Sequence, residues 1–508
     1  MMANFKLLLV NEKIVTAIKY RKKRGYYLHL TVLFLLLPIL LKAGDDFERY
    51  FINRTLRIDF YHSGDKQTDK ITLDHIYKED IWSGSLNNMV DHFNNGKYYI
   101  KLYDAVSNKL LFSKGYNSYF AEYKTTANAA KCIQRTYHES ALTPFPKKKV
   151  RFSVEARDRN NRLYELFSTI IDPVSVDIIE NEKRSDVKVV NYLVNGNAHN
   201  KVDLLFVAEG YKSDEFDKFK SDMAHFCSYF FKQSPYRQNK NNFNIRGVFK
   251  ASLESGCDEP THGSYKNTAV ETTFNSMGSP RYLLTENNRD LHDIASSAPY
   301  DALLIMVNHK RYGGGGIYNF FLTFTSDNSW RDFVFIHEFG HSFAGLADEY
   351  YSSSTAYDEF YTPGIEPLEP NITALLNPTE LKWKDLVEKG TPIPTPWNKA
   401  QYDSLSSEYQ KVRAEYQKKI AVLKRENVDA QKINELEKEA DAASKRYAEE
   451  MKNLLDKGKK VGAYEGAGYL SKGMYRPQLD CIMKSKNADG YCKVCERRIV
   501  EMIKYYSH

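Results

Sequence analysis

The segment FVFIHEFGHSF, residues 333–343, constrains the fold of this chain more than any other part of its sequence. Its apolar residues predict a buried helix, and residues four apart on a helix share one face, about 6 Å apart along the axis. His337 and His341 can therefore offer imidazole nitrogens to one metal ion, with Glu338 beside them. The alternative, a pair of solvated histidines on an amphipathic helix, fits the apolar surroundings less well. The segment thus predicts a metal centre built on a helix.

Two histidines do not complete a catalytic zinc site, which takes three protein ligands and a water molecule. We expect one Zn²⁺ per chain. Glu338 could take the proton of the activated water and deliver it to a leaving amine, as in hydrolysis of a peptide bond. Two acidic residues, Asp348 and Glu349, follow the helix at a distance that suits a third ligand.

The continuation AGLADEY, residues 344–350, is similar to metzincin metallopeptidases. In that group a glycine in the left-handed conformation ends the helix, and the third ligand follows three residues later. Gly345 would be this glycine, and Asp348 would be the ligand. The commonest metzincin pattern has histidine there and is one residue shorter, so Glu349 stays open as the alternative.

A closer resemblance extends over residues 190 to 505. The stretch HEFGHSFAGLADEY at 337–350 resembles the bacterial IgA-cleaving metallopeptidase family. VDLLFVAEGY at 202–211 resembles the opening strand of its peptidase domain, and YRP (475–477), DCIM (480–483) and CKVC (492–495) resemble its end. The resemblance implies a zinc peptidase, but it does not assign immunoglobulin A as the substrate.

Two further residues are candidates through this resemblance. Met483 resembles the methionine that metzincins place in a tight turn beneath the zinc-binding histidines, although a lone methionine is more often a core residue. Tyr475 could donate a hydrogen bond to the oxyanion of the tetrahedral intermediate, or ligate zinc in the resting enzyme. A packed aromatic side chain is the alternative for Tyr475.

The pair Cys492-x-x-Cys495, together with Cys481, has three interpretations. A redox pair is disfavoured because no thioredoxin-like strand precedes it. A second zinc site lacks an evident fourth ligand. We therefore expect a structural role, with Cys481 disulfide-bonded to one member of the pair.

The glycine-rich stretch at 313–316 lacks the lysine and hydroxyl residue of a phosphate-binding loop. Its position before the histidine helix predicts either a mobile loop with an edge strand, where a substrate peptide could pair, or a plain surface loop.

The sequence predicts an α+β multidomain protein. Residues 1–43, with a basic run and then an apolar run at 30–41, are typical of a signal peptide, with a retained anchor as the alternative. Residues 45–185 predict a β-sandwich, which could contact glycans, and 186–508 predict a metzincin-like α/β peptidase domain. Within it, 399–457 have the pattern of a self-contained helical hairpin insertion, with a coiled-coil dimerisation arm as the alternative.

Charge and motifs also limit the classes of function that the chain can have. A net charge of +7 over 508 residues, without a concentrated basic patch, disfavours nucleic-acid binding. We expect an exported protein (secreted, periplasmic or on the cell surface) that acts on protein or peptide substrates and keeps no membrane span after signal removal. An extracellular adhesion protein with an inactive peptidase fold is the main alternative, which Glu338 argues against. The second alternative is a metal-dependent enzyme that acts on glycans.

Overall fold

The computed structural model describes residues 45–181, 184–351, 360–426, 430–455 and 460–507. The expected signal segment, 1–43, lies outside the described residues and stays a prediction. From Tyr50 onward the chain forms one compact unit. Within the described ranges, no helix has the length and apolarity to cross a membrane.

The first part of the chain is rich in strands, as its alternating pattern predicts. Its elements in chain order are α1 (Asp45–Tyr50), β1 (Phe51–Gly64), β2 (Asp69–Glu79), β3 (Tyr98–Asp104), β4 (Leu110–Tyr116), α2 (Tyr119–Lys124), α3 (Ala127–Ala130), β5 (Arg135–Pro146), β6 (Val150–Arg157), β7 (Leu163–Ile171) and β8 (Ile178–Glu180). They form two four-stranded sheets, with strand orders β5-β1-β2-β8 and β4-β3-β6-β7. All pairings are antiparallel except the β2–β8 pair.

Buried side chains join these two sheets. The imidazole of His62, on β1, contacts the ring of Tyr98, on β3, with centroids 4.9 Å apart. His62 Nδ1 lies 3.0 Å from a carboxylate oxygen of Glu139, and Nε2 meets the carboxylate of Asp69. Burial alone would lower the pKa of His62, but the two carboxylates raise it to about 9. The sheets thus meet over a buried charged cluster.

The second part of the chain alternates strands and helices. Its elements are β9 (Lys188–Leu193), β10 (Val202–Glu209), α4 (Phe216–Phe230), β11 (Phe243–Phe249), α5 (Asn288–Ala295), β12 (Ala302–Val307), β13 (Gly314–Ile317), β14 (Phe321–Thr325) and α6 (Arg331–Ala344). The six strands form one sheet in the order β13-β14-β12-β10-β11-β9. The four central strands are parallel, and β13 and β9 are antiparallel edges.

The core of this part follows from its apolar runs. Every residue of β10 is buried, as expected for a central parallel strand covered on both faces. Helix α6 packs against α4 through aromatic pairs: the centroids of Phe226 and Phe335 are 5.2 Å apart, and those of Phe230 and Phe339 are 5.3 Å apart. This packing buries one side of α6 and holds the helix in place.

The remaining elements are α7 (Lys399–Arg425), α8 (Ala430–Leu454), β15 (Tyr464–Ala467), β16 (Leu470–Arg476) and α9 (Lys493–Ser507). Helices α7 and α8 run antiparallel: Tyr447 Oη donates to Glu408 (2.7 Å), and Lys424 pairs with Glu437 (2.9 Å). Two helices are therefore present where the sequence predicts them. Their origin as an insertion, and the metzincin-like class of the domain, stay predictions.

Candidate active site

Helix α6 carries the predicted histidines on the side that faces away from its aromatic packing. It ends at Gly345, whose φ of 61° and ψ of 36° lie in the left-handed region. The Gly345 N–H donates to the His341 carbonyl (3.0 Å), and the Leu346 N–H donates to the Gly340 carbonyl (3.2 Å). The chain turns here, which brings the residues that follow back toward the histidines.

Three candidate ligand atoms form a small triangle. His337 Nε2 and His341 Nε2 are 3.2 Å apart, and Asp348 Oδ1 lies 3.0 Å and 3.2 Å from them. Two ligands of a tetrahedral zinc ion are about 3.3 Å apart when each bond is about 2.0–2.1 Å long. The structure therefore brings Asp348, as the sequence favoured, to the two histidines at the spacing that a single metal ion requires.

Hydrogen bonds on the other ring nitrogens set the tautomers. His337 Nδ1 donates to the Ile482 carbonyl (3.0 Å), and His341 Nδ1 donates to the Leu346 carbonyl (2.6 Å). Because a carbonyl can only accept, both Nδ1 atoms carry hydrogen, so Nε2 of each ring is the atom that would bind a metal ion. Against the effect of burial, the Asp348 carboxylate raises the pKa of His341 to about 9. The triangle thus favours a positive charge at its centre, and a His₂Asp donor set fits zinc.

Glu338 lies next to this triangle. It is partly exposed in the cavity described below, and one of its oxygens lies within 4.8 Å of ring nitrogens of both histidines. Burial of the carboxylate, reinforced by the nearby charge of Asp348, raises the pKa of Glu338. A carboxylate with a raised pKa is a stronger base, as the proton-accepting group of a hydrolase requires.

The site opens into a cavity of about 250 Å³ with walls from three parts of the chain. The first part of the chain contributes Asn95, Asn117 and Glu122, and helices α7 and α8 contribute Tyr409, Arg413 and Met451 among others. Asn95 Nδ2 also donates to the Gly345 carbonyl (3.2 Å), at the end of the histidine helix. Sequence reasoning found no chemistry in the first 185 residues, and no local signal there marks Asn95.

The structure does not bring Tyr475 to the histidines, so its role stays a prediction. Tyr475 lies on β16 with its backbone paired to Thr373, and it is not among the described residues that line the cavity. Tyr469 donates its hydroxyl hydrogen to Asp348 Oδ2 instead, and Tyr350 stacks on the ring of His337 at 17°. Tyr469 sits in the two-residue turn between β15 and β16, where Gly468 and Tyr469 both have positive φ. This tight turn is the signal that could have identified it.

The turn that contains Met483 lies beneath α6, where the resemblance places it. A Cβ added to Gly340 would meet the Met483 sulfur at 2.7 Å, so the sulfur packs directly against the helix backbone. The Glu349 N–H donates to the Met483 carbonyl (2.8 Å), and the preceding Ile482 carbonyl is the one that holds His337. The turn therefore connects one histidine to the segment of the third ligand.

Strand β13 explains the glycine-rich stretch. A Cβ at Gly316 would lie 2.4 Å from the Glu338 carbonyl oxygen, and one at Gly314 would lie 2.6 Å from Val334. Glycine is required because the edge strand lies directly against α6. The stretch is a strand rather than a mobile loop, and pairing of a substrate with it stays a prediction.

Glu349 and the three late cysteines lie together, away from the histidines. Glu349 is fully buried, and its Oε1 is 3.2 Å from Cys495 Sγ and 3.7 Å from Cys492 Sγ. The structure therefore places Asp348, and not the alternative Glu349, beside the histidines. The expected disulfide is also not formed: the cysteines are free, with Cys481 and Cys495 sulfurs 3.8 Å apart, against about 2.05 Å for an S–S bond.

Comparison with known families identifies the family of the chain. A family model described as IgA peptidase M64 matches residues 190–503, and a model for the N-terminal part of M64 peptidases matches residues 46–168. The matched models indicate the class of the protein, a metallopeptidase. The chain belongs to the IgA peptidase M64 family, which confirms the resemblance stated from its motifs. No curated protein matches the chain.

Proposed function

We propose that the protein is an exported zinc endopeptidase that hydrolyses peptide bonds in extracellular proteins. The observation that carries the proposal is the triangle of His337, His341 and Asp348 donor atoms, 3.0–3.2 Å apart, beside the Glu338 carboxylate. Export rests on the basic and apolar runs within residues 1–43. Family membership supports peptide-bond hydrolysis as the reaction.

Each residue of the site has a distinct role in the proposed reaction. His337, His341 and Asp348 would hold the ion, and bound zinc supplies the Lewis acidity that activates water near neutral pH. Glu338 takes a proton from the attacking water onto its carboxylate and delivers it to the leaving amine, because its raised pKa suits both transfers. The carbonyls of Ile482 and Leu346 keep both imidazoles in the ligating tautomer. The cavity walls exclude bulk water and orient the substrate chain.

The test is to compare wild type with Glu338→Gln for cleavage of a denatured-proteome peptide library, read by mass spectrometry, with metal content measured in parallel. Glu338→Gln should keep its metal and lose at least about 1,000-fold in kcat, since the proton-transfer group is removed. Glu388→Gln, at an exposed position, is the matched control and should keep full activity. Wild-type protein that binds zinc yet cleaves no peptide would overturn the proposal and favour the adhesion alternative.

Substrate class is tested separately. We propose host immunoglobulin or another secreted glycoprotein as the target, following the family's description. Immunoglobulin A, immunoglobulin G and a non-immunoglobulin glycoprotein are incubated with wild type and with Glu338→Gln, and fragments are sequenced. Cleavage of none of the three by an enzyme active on peptides would reject this substrate class while leaving the peptidase proposal intact.

A further inference from the structure

A second cluster of metal-binding side chains lies on the far side of the Asp348–Glu349 segment. It consists of Glu349, Cys481, Cys492 and Cys495, all buried, with one ligand atom from each within 4.8 Å of every other. The geometry points to a second, structural site in which these four residues bind one divalent ion of the zinc type. This site is distinct from the histidine site and does not rest on the proposed function.

The distances match a tetrahedral ion. With a Zn–S bond of about 2.3 Å, two sulfurs on one ion lie about 3.8 Å apart, and a sulfur and a carboxylate oxygen lie about 3.5 Å apart. The Cys481 and Cys495 sulfurs are 3.8 Å apart. Glu349 Oε1 lies 3.2 Å from Cys495 Sγ and 3.7 Å from Cys492 Sγ. The four atoms are thus already spaced as ligands of one ion.

Backbone donors around the sulfurs provide an independent observation. The Cys492 N–H points to Cys481 Sγ (3.3 Å), and the Cys495 N–H points to Cys492 Sγ (3.4 Å). Such N–H groups stabilise thiolates, the form in which cysteine binds a metal. Cys492 also immediately precedes α9, whose N-terminus favours negative charge. The backbone is therefore arranged for anionic sulfur.

The carboxylate of Glu349 points to the same conclusion. It is fully buried, and its Oε2 has no hydrogen-bond partner among the described residues. Asn371 Nδ2 donates to Oε1 (3.0 Å), but a buried carboxylate oxygen without any partner is costly. In the metal-bound form three thiolates and this carboxylate would carry four negative charges, which a divalent ion offsets together with the buried Arg476 guanidinium that interacts electrostatically with Glu349.

A disulfide accounts for the cluster less well. Joining Cys481 to either other cysteine would leave one thiol unused and would still leave Glu349 Oε2 without a hydrogen bond among the described residues. It would also require the sulfurs to approach from 3.8 Å to about 2.05 Å. A metal ion would bind all four groups without such a movement.

The second site would position the first. Glu349 is the direct neighbour of Asp348, and Cys481 is the direct neighbour of Ile482, whose carbonyl holds His337. An ion bound to Glu349 and Cys481 therefore fixes both segments that meet the histidine helix. Its ligands include both ends of the turn-to-α9 segment, 481–495, so it also secures the Met483 turn.

The experiment measures metal content per chain and the absorption of the full-length protein reconstituted with Co²⁺. Wild type should bind two ions per chain, and His341→Ala should bind one while keeping the intense thiolate-to-cobalt charge-transfer band. Cys492→Ala should lose that band and bind at most one ion. Cys227→Ala, which removes a buried thiol on α4, is the matched control and should keep two ions.

The test still discriminates if one of the variants fails to fold. If Cys492→Ala is insoluble, the His341→Ala protein still reports the site through its band, and Glu349→Gln provides a milder perturbation that should weaken cobalt binding at least tenfold. One ion per chain in wild type, no thiolate band in His341→Ala, or a Cys481 disulfide in non-reducing peptide maps would each overturn the inference. A protein with two ions and no peptidase activity would retain this site and reject the proposed function.

Discussion

Gly345→Ala is the most informative test of how the end of the histidine helix supports the site. The φ of 61° at Gly345 costs an alanine about 1–2 kcal/mol. The new Cβ would lie 2.2 Å from Asn95 Nδ2, so Asn95 must move and give up its hydrogen bond to the Gly345 carbonyl, at a cost of about 1 kcal/mol. We expect a total loss of about 2–3 kcal/mol in the free energy of unfolding.

Gly364→Ala is the control for this change. Gly364 also has a positive φ, 78°, but a Cβ there meets nothing within 4 Å, so only the backbone cost of about 1–2 kcal/mol applies. Unfolding is followed in denaturant, and zinc affinity is measured by competition with a chelator. Because Gly345 stands between His341 and Asp348, Gly345→Ala should also weaken zinc binding, by up to about 100-fold if the strain is relieved when the metal leaves. Gly364→Ala should not.

A double variant separates the two costs. Asn95→Ala should cost about 1 kcal/mol in wild type, because it removes the hydrogen bond to the Gly345 carbonyl, but little in the Gly345→Ala background, where that bond is already broken; the backbone cost remains in both. If Gly345→Ala proves no worse than Gly364→Ala in both stability and zinc affinity, the close contact with Asn95 has no energetic role and the reasoning is refuted.

Three other changes have defined outcomes. Since the pKa of His62 is raised to about 9, the stabilisation from its charge is complete below pH 6.5 and is lost as the pH rises to 9. Thermal unfolding from pH 6 to 9.5 should show a decrease of up to about 3 kcal/mol in the free energy of unfolding of wild type. His62→Gln should show a flatter pH profile, and equal slopes for the two proteins would contradict this prediction. Tyr469→Phe removes the hydrogen bond to Asp348 and should weaken zinc binding about 10–100-fold, measured by competition with a chelator. Tyr475→Phe should leave zinc affinity unchanged. Equal effects of the two changes would show that the Tyr469 hydrogen bond does not support the metal site. Replacing 399–457 by a short linker should keep the metal but raise KM for small peptides, because α7 and α8 form one wall of the cavity; an unchanged KM would show that the wall does not contact substrate.

Local sequence patterns predict those parts of the site whose geometry is set within a single helix or turn. The helical period places His337 and His341 on one face, and Gly345 ends the helix in the left-handed conformation as its position predicts. The choice between Asp348 and Glu349 could not be derived in this way, because adjacent residues differ only in the direction in which the turn presents them. Long-range bonds set that direction: the Gly468 N–H donates to the Asp348 carbonyl (2.9 Å), and the Glu349 N–H donates to the Met483 carbonyl (2.8 Å).

Other parts of the site lacked any local signal. Tyr475 stands in a family-like motif, but the tyrosine that donates to Asp348 Oδ2 is Tyr469, in the turn that precedes β16. The periodic apolar positions of 399–457 predict the two helices, yet they do not indicate that those helices line a cavity formed by distant segments. A fourth partner for the cysteines could not be found because Glu349 is more than 130 residues from each of them.

The long sequence separation across the site determines when activity can arise during synthesis. The Asn95–Gly345 contact spans 250 positions, and the bond between His337 and the Ile482 carbonyl spans 145. A nascent chain that has exposed only its first 350 residues carries Glu338 and all three donor residues, but it lacks the carbonyl that orients His337 and both helices of the cavity wall. Under the proposed function, a chain interrupted before residue 482 would lack the carbonyl that orients His337, so the complete site can form only after that residue has been made.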